Sequence, residues 1–165
     1  MKRKHTKLIW LSAALCILCV AAMACALYYT SQPQIRFIPP DFDPTAVAGV
    51  PDLTPEDGYS ALDTGVYSFS ISGILDLKDG KTDLWLTNHA ENENVWIKVV
   101  VKDKNDNELG ETGLVRPGEY VQSVQFKNPP TKNTDVKLVV MGYEPETYYS
   151  VGNVTLYTSL YVPES

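Results

Sequence analysis

Val95-Trp96-Ile97-Lys98-Val99-Val100-Val101-Lys102 decides the fold. Side chains of an extended chain point alternately to opposite faces, so Val95, Ile97, Val99 and Val101 share one face and Trp96, Lys98, Val100 and Lys102 the other. The first set is entirely β-branched. Such residues lose rotamer freedom in a helix and pack well on a pleated surface. The segment reads as a half-buried strand.

The same two-residue beat continues on both sides. Tyr67, Phe69 and Ile71 alternate with Ser68, Ser70 and Ser72, and Leu84 and Leu86 flank Trp85. Tyr120, Gln122, Val124 and Phe126 set another register, followed by Val136, Leu138 and Val140. Val154, Leu156, Thr158, Leu160 and Val162 interleave with Thr155, Tyr157, Ser159 and Tyr161. A short strand fits from Leu109 to Leu114. Between these runs lie Asp79-Gly80, Asp103-Lys104-Asn105-Asp106-Asn107 and Asn128-Pro129-Pro130, which cannot continue strands. Arg116-Pro117-Gly118-Glu119 puts Pro and Gly where a type II turn needs them. The expectation is an all-β domain over 64–165, a seven-stranded antiparallel immunoglobulin-like sandwich. The Cys–Trp–Cys arrangement of antibody domains is absent, so only the architecture is expected.

Leu8 to Tyr29 carries no charge, and Lys2, Arg3, Lys4 and Lys7 stand in front of it. Twenty-two helical residues extend about 33 Å, enough for a hydrocarbon core of about 30 Å. This predicts a transmembrane helix over 8–29 behind a cytoplasmic basic tail, 1–7, with the rest of the chain extracellular. Two alternatives use the same residues. One is a signal peptide cleaved after Ala22-Met23-Ala24 or Ala24-Cys25-Ala26; the other is a lipoprotein anchored at Cys25.

Six of the eleven prolines fall between Pro33 and Pro55, among several aspartates. Residues 30–63 therefore read as a Pro-rich extracellular linker. Ile35, Phe37, Ile38 and Phe42 are more apolar than a spacer requires, which suits packing on the domain or on a partner.

All 20 acidic residues but only 10 of the 14 basic ones lie beyond residue 30, leaving that part ten charges negative. A surface so acidic repels phosphate backbones, so no nucleic-acid partner is expected. Cys16, Cys19 and Cys25 all sit in the apolar run, and the outer part has no cysteine to form a disulfide. It must be held by its core alone.

Residues able to carry chemistry are few. His89 is the single histidine of the outer part, and one imidazole without a Cys or second His makes no zinc site. No serine stands in a Gly-x-Ser-x-Gly elbow, and no glycine-rich phosphate loop exists. Asp103, Asn105 and Asn107 resemble a calcium loop, but its sixth and twelfth positions hold Glu108 and Leu114 instead of Gly and Glu. A hairpin turn fits better, with a looser site shared with Asp76, Asp79 or Asp83 as the other option. No cofactor, no metal and no catalytic residue is expected, and the chain is read as not an enzyme.

Aromatic residues give the binding hint. Tyr143, Tyr148, Tyr149, Tyr157 and Tyr161 crowd the last third, with Trp85 and Trp96 upstream. Tyr148-Tyr149, in a loop after Glu144-Pro145-Glu146, and Tyr143 beside it are the candidate partner-binding residues, since Tyr offers area at low entropic cost.

Gly110-Glu111-Thr112-Gly113-Leu114-Val115-Arg116-Pro117-Gly118-Glu119-Tyr120-Val121, Met141-Gly142-Tyr143-Glu144-Pro145-Glu146-Thr147-Tyr148 and Gly152-Asn153-Val154-Thr155-Leu156 carry a resemblance. With Phe42-Asp43-Pro44-Thr45-Ala46-Val47 and Leu84 to Asn88, they resemble a family of small membrane-anchored proteins from Firmicutes gut bacteria, similar to proteins carried on mobile elements. That resemblance implies a bacterial surface address and a β-sandwich, and it transfers no site residue. The expected function is a non-enzymatic accessory or adhesive module for an envelope protein or glycan. The alternatives are a structural subunit of an envelope or mobile-element-encoded membrane assembly and, behind it, a wall-acting enzyme.

Overall fold

The beat read over 95–102 is realised as a strand, Trp96–Asp103, with Ile97, Val99 and Val101 wholly buried on its inner face. The computed structural model describes residues 2–30 and 38–163 and, within its single long helix, the side chains of Trp10 and of residues 15–28. The chain divides into two units, Met1–Ile38 and Pro39–Ser165.

The first unit holds α1 (Lys2–Thr30), 29 residues long. Its described large side chains, among them Leu15, Ile17, Leu18, Val20, Met23 and Leu27, are exposed. Among the described residues no helix is long and apolar enough to cross a membrane. The anchor expected over 8–29 therefore stands on the sequence.

The second unit is all β apart from a 3₁₀ turn at Pro55–Asp57. Its described strands are β1 (Val47–Ala48), β2 (Tyr59–Asp63), β3 (Ser68–Ser72), β4 (Leu75–Lys78) and β5 (Lys81–Asn88). They continue with β6 (Trp96–Asp103), β7 (Glu108–Glu111), β8 (Glu119–Gln125), β9 (Thr134–Tyr143) and β10 (Ser150–Tyr161). The hydrogen-bonded order is β1-β8-β5-β4-β10-β9-β6-β7, with β3 also on β5 and β2 on β3.

β4 is the hinge of this arrangement. Leu77 and Lys78 pair antiparallel with β5, while Leu75 and Asp76 pair parallel with the end of β10. Leu84, Leu86, Val121 and Val124 from one side of that hinge share one buried cluster with Ile97, Val99, Val101, Val136, Leu138 and Val140 from the other. The sheet therefore curls over a single core. β9 supplies the cleanest alternation, burying Val136, Leu138, Val140 and Gly142 between half-exposed neighbours.

Two expectations are corrected here. Ten strands replace the expected seven, and the β4–β10 pair is parallel. The linker expected over 30–63 is not a spacer from Pro39 onward. β1 pairs with β8, β2 pairs with β3, and Phe42 forms a parallel bridge with Leu114. These segments are short or lack alternation, so partners far along the chain define them. Residues 31–37 of the expected linker, with Ile35 and Phe37, lie outside the described residues.

The turns behave as read. Glu119 N–H donates to the Arg116 carbonyl at 3.1 Å and Gly118 has φ 76, as a type II turn demands. Asp79-Gly80 closes the two-residue β4–β5 hairpin, and Asp103–Asn107 closes β6–β7.

Candidate functional site

The site forms where β6 begins and β9 ends. Trp96 and Tyr143 are directly opposite in the β6–β9 register, both half-buried on the outer face because Ile97 and Gly142 point inward. The β9–β10 loop then returns over them. Glu144 N–H donates to the Tyr149 carbonyl at 2.8 Å, Tyr148 N–H donates to the Glu144 carbonyl at 3.0 Å, and Thr147 Oγ1 donates to Glu144 Oε2 at 2.7 Å. Glu146 and Tyr148 take φ of 66 and 56 within this frame. Left-handed backbone at a non-glycine residue costs about 1 kcal/mol or more and persists where the surroundings over-determine it. Here it turns the Tyr148 ring onto Trp96, with centroids 5.5 Å apart and ring planes at 61°.

The row extends from the other side of Trp96. Phe42 meets it edge-on at 4.7 Å, and the Arg116 guanidinium lies 3.6 Å above the Phe42 ring. Phe42 is held by its neighbours: Asp43 N–H donates to the Leu114 carbonyl, Leu114 N–H to the Asp41 carbonyl, and Gly113 N–H to Asp43 Oδ2. Arg116 also reaches Glu119 at 3.6 Å. Arg116, Phe42, Trp96 and Tyr148 thus form one continuous stack. Each aromatic pair contributes about 0.5–1.5 kcal/mol beyond its buried area, and the exposed cation–π contact about 0.5–1.

Of the three tyrosines expected to bind, Tyr143 and Tyr148 join this cluster and Tyr149 stands out from it, 74% exposed. Burial and the nearby Glu111 carboxylate raise the Tyr143 phenol above its ordinary value, so it stays protonated and can donate. Its hydroxyl approaches Met141 Sδ at 3.5 Å. The sequence reading missed Trp96 as the centre, Phe42 as its neighbour and Arg116 as the cap. The excess apolarity of Phe42 and the place of Trp96 among the aromatic residues were the available signals.

The other candidates fall differently. His89 Nε2 lies 2.8 Å from the Ser70 hydroxyl, on the rim of a cleft of about 430 Å³ that Gly49, Val50, Thr87 and Gly118 also line. Ser70 is 5% exposed, which keeps it from an incoming substrate. Asp103 is occupied by its own turn: Oδ1 accepts from the N–H groups of Asn105 and Asn107, and Oδ2 from Asn107 Nδ2. Those hydrogen bonds, led by the Asn107 side chain, hold its carboxyl below the usual range. Asp76 and Asp83 line a shallow hollow together with Lys78 and Lys81. Among the described residues no three His, Cys, Asp or Glu side chains are grouped to hold a metal ion.

What this arrangement can do chemically is present an aromatic strip, rimmed by a guanidinium and an outstanding tyrosine, on a rigid sheet. The chain matches no family model and no curated protein.

Proposed function

We propose that this protein is a non-enzymatic surface interaction module, an immunoglobulin-like sandwich held at a membrane by its N-terminal helix. The observation that carries the reading is the Arg116–Phe42–Trp96–Tyr148 stack with Tyr149 beside it. Aromatic rings with a polar tip, set on a rigid scaffold, form the hot spots of protein contacts and the platforms on which sugars stack. The sandwich reading is supported by β4, β5 and β8 facing β6, β9 and β10 across one core, the grouping of immunoglobulin domains. The anchor reading is supported by α1, whose large apolar side chains from Leu15 to Leu27 face outward on several sides, and by the basic residues ahead of them. In that reading the basic end is cytoplasmic and the acidic domain faces an envelope protein or glycan.

The test is binding by the full chain in detergent micelles, against envelope extracts and a glycan panel, with the Trp96→Ala and Tyr149→Ala variants alongside. A binder that weakens about tenfold or more in each variant, a loss of about 1.4 kcal/mol, supports the reading. Binding that both variants retain moves the site elsewhere. Hydrolysis of a wall polymer by the purified chain would overturn the non-enzymatic part.

A further inference from the structure

β10 is long, and one of its sides is open. β4 pairs with it at Leu160 and Tyr161 alone, so among the described residues no strand lies beside Ser150 to Ser159 opposite β9. Among the described residues two side-chain hydrogen bonds reach that stretch from the side opposite β9. The Tyr67 hydroxyl lies 3.5 Å from the Gly152 carbonyl, and Thr158 Oγ1 donates to the Gly73 carbonyl at 2.6 Å.

Open edges are normally blunted by charge, proline or repeated bulges. Ser150–Tyr161 contains no charged residue and no proline, in a part of the chain that is ten charges negative. Its register irregularity is confined to Ser150/Gly152, leaving Asn153 to Ser159 in regular pairing with β9. β7, at the far side of the same sheet, carries Glu108 and Glu111. The seam beside β10 is also incompletely covered. Val154 and Leu156 face the core but are half-buried, whereas their partners Val140 and Leu138 are wholly buried.

We propose that this edge is a self-association site, where a second copy of the chain adds its own β10 antiparallel. The occupant follows from the pattern. Centred on Thr155, the run Asn153-Val154-Thr155-Leu156-Tyr157 has the same order of polarity from either end. A two-fold pairing sets Thr155 opposite Thr155, Val154 opposite Leu156 and Asn153 opposite Tyr157. Apolar residues then meet apolar ones over the uncovered seam, the hydroxyl pair can hydrogen-bond, and no carboxylate faces a carboxylate. The last condition is the one a second acidic copy must meet. A basic peptide, by contrast, finds no carboxylate on this edge to pair with. Closure is isologous, so association stops at the dimer.

Sedimentation velocity of the full chain in detergent micelles, from about 1 to 200 μM, reads the oligomeric state, and hydrogen exchange reads the edge amides. The expected result is a dimer whose Asn153 to Ser159 amides slow as concentration rises. The N153K/T155K variant sets the lysine at position 155 opposite its own copy and puts the one at position 153 diagonal to it on the same face. It should weaken the dimer about tenfold or more while keeping its β circular dichroism. If that variant fails to fold, Thr155→Lys alone replaces it under the same criteria. A wild-type chain monomeric at the highest concentration overturns the proposal. So does a dimer that the lysine variants leave intact, which would place the contact elsewhere, such as α1.

Discussion

Asn88, wholly buried at the end of β5, shows how much one side chain can organise. Its Nδ2 donates to the carbonyls of Val95 and Val115, and its Oδ1 accepts from Asn92 Nδ2. Asn92 in turn exchanges hydrogen bonds with both backbone groups of Ser68. Three segments far apart in the chain are thereby tied at one point. Asn88→Leu removes three buried hydrogen bonds and leaves the Val95 carbonyl without its side-chain donor, while the Val115 carbonyl keeps Ile97 N–H and Asn92 Nδ2 keeps the Ser68 carbonyl. A buried unpaired group costs about 1–3 kcal/mol. Urea unfolding should register a loss of about 3 kcal/mol; a loss below about 1 would mean water replaces the network. None of this was legible in the sequence, where Asn88 to Asn94 reads as a loop. Polar residues in a loop are ordinary, and their burial depends on Ser68 and Val115, which local pattern cannot place. Tyr148 illustrates the same limit, because its left-handed backbone follows from the loop's hydrogen bonds and not from its residue type.

At the scale of elements, periodicity located the long strands, the turns on either side located β7, and β1, β2 and β4 were missed. β3, β5, β6, β8, β9 and β10 each carry several turns of the two-residue beat, so burial on one face imprints itself on the sequence. β1 has two residues and β4 has four, too few for a pattern. The stretch around Phe42 is further disguised by prolines and aspartates that suit a solvated spacer. Its true role is set by close backbone approach. A Cβ on Gly113 would lie 2.4 Å from the Asp43 nitrogen, a separation no side chain tolerates. Gly113→Ala should therefore detach residues 41–48 from the β7–β8 connection and pull Phe42 off Trp96. Limited proteolysis is expected to cut that segment in the variant and spare it in the wild type, with a matching change in Trp fluorescence. Equal resistance in both would show that the segment is held by other contacts.

Across the whole molecule, the two halves of the sheet are joined by polar as well as apolar contacts. Tyr67, immediately before β3, buries its ring in the core and donates its hydroxyl to the Val140 carbonyl of β9 at 3.1 Å. Burial raises its phenol above the ordinary value of 10.0. A group whose folded pKa is raised contributes stability that is full below its unfolded pKa and lost as pH rises through the folded one. Stability should thus hold up to about pH 10 and fall above it, with Tyr143 adding to the same slope. Tyr67→Phe should cost about 1 kcal/mol at neutral pH through the lost hydrogen bond. It should also flatten the alkaline fall in urea-unfolding series at pH 7, 9, 10 and 11. An unchanged slope would assign the alkaline loss to other groups. The β unit has no disulfide to mask such effects, since all three cysteines lie in α1.

The hinge between β4 and β10 has a consequence for how the chain comes off the ribosome. Gly73 and Thr158, whose contact secures that seam, are separated by 85 residues. At a synthesis rate of about 5–20 residues per second, Leu75 and Leu77 wait about 4–17 s for the segment that covers them. Throughout that interval the nascent polypeptide cannot complete its interior and remains threadable. That is the state a translocation pore or a holding chaperone can accept.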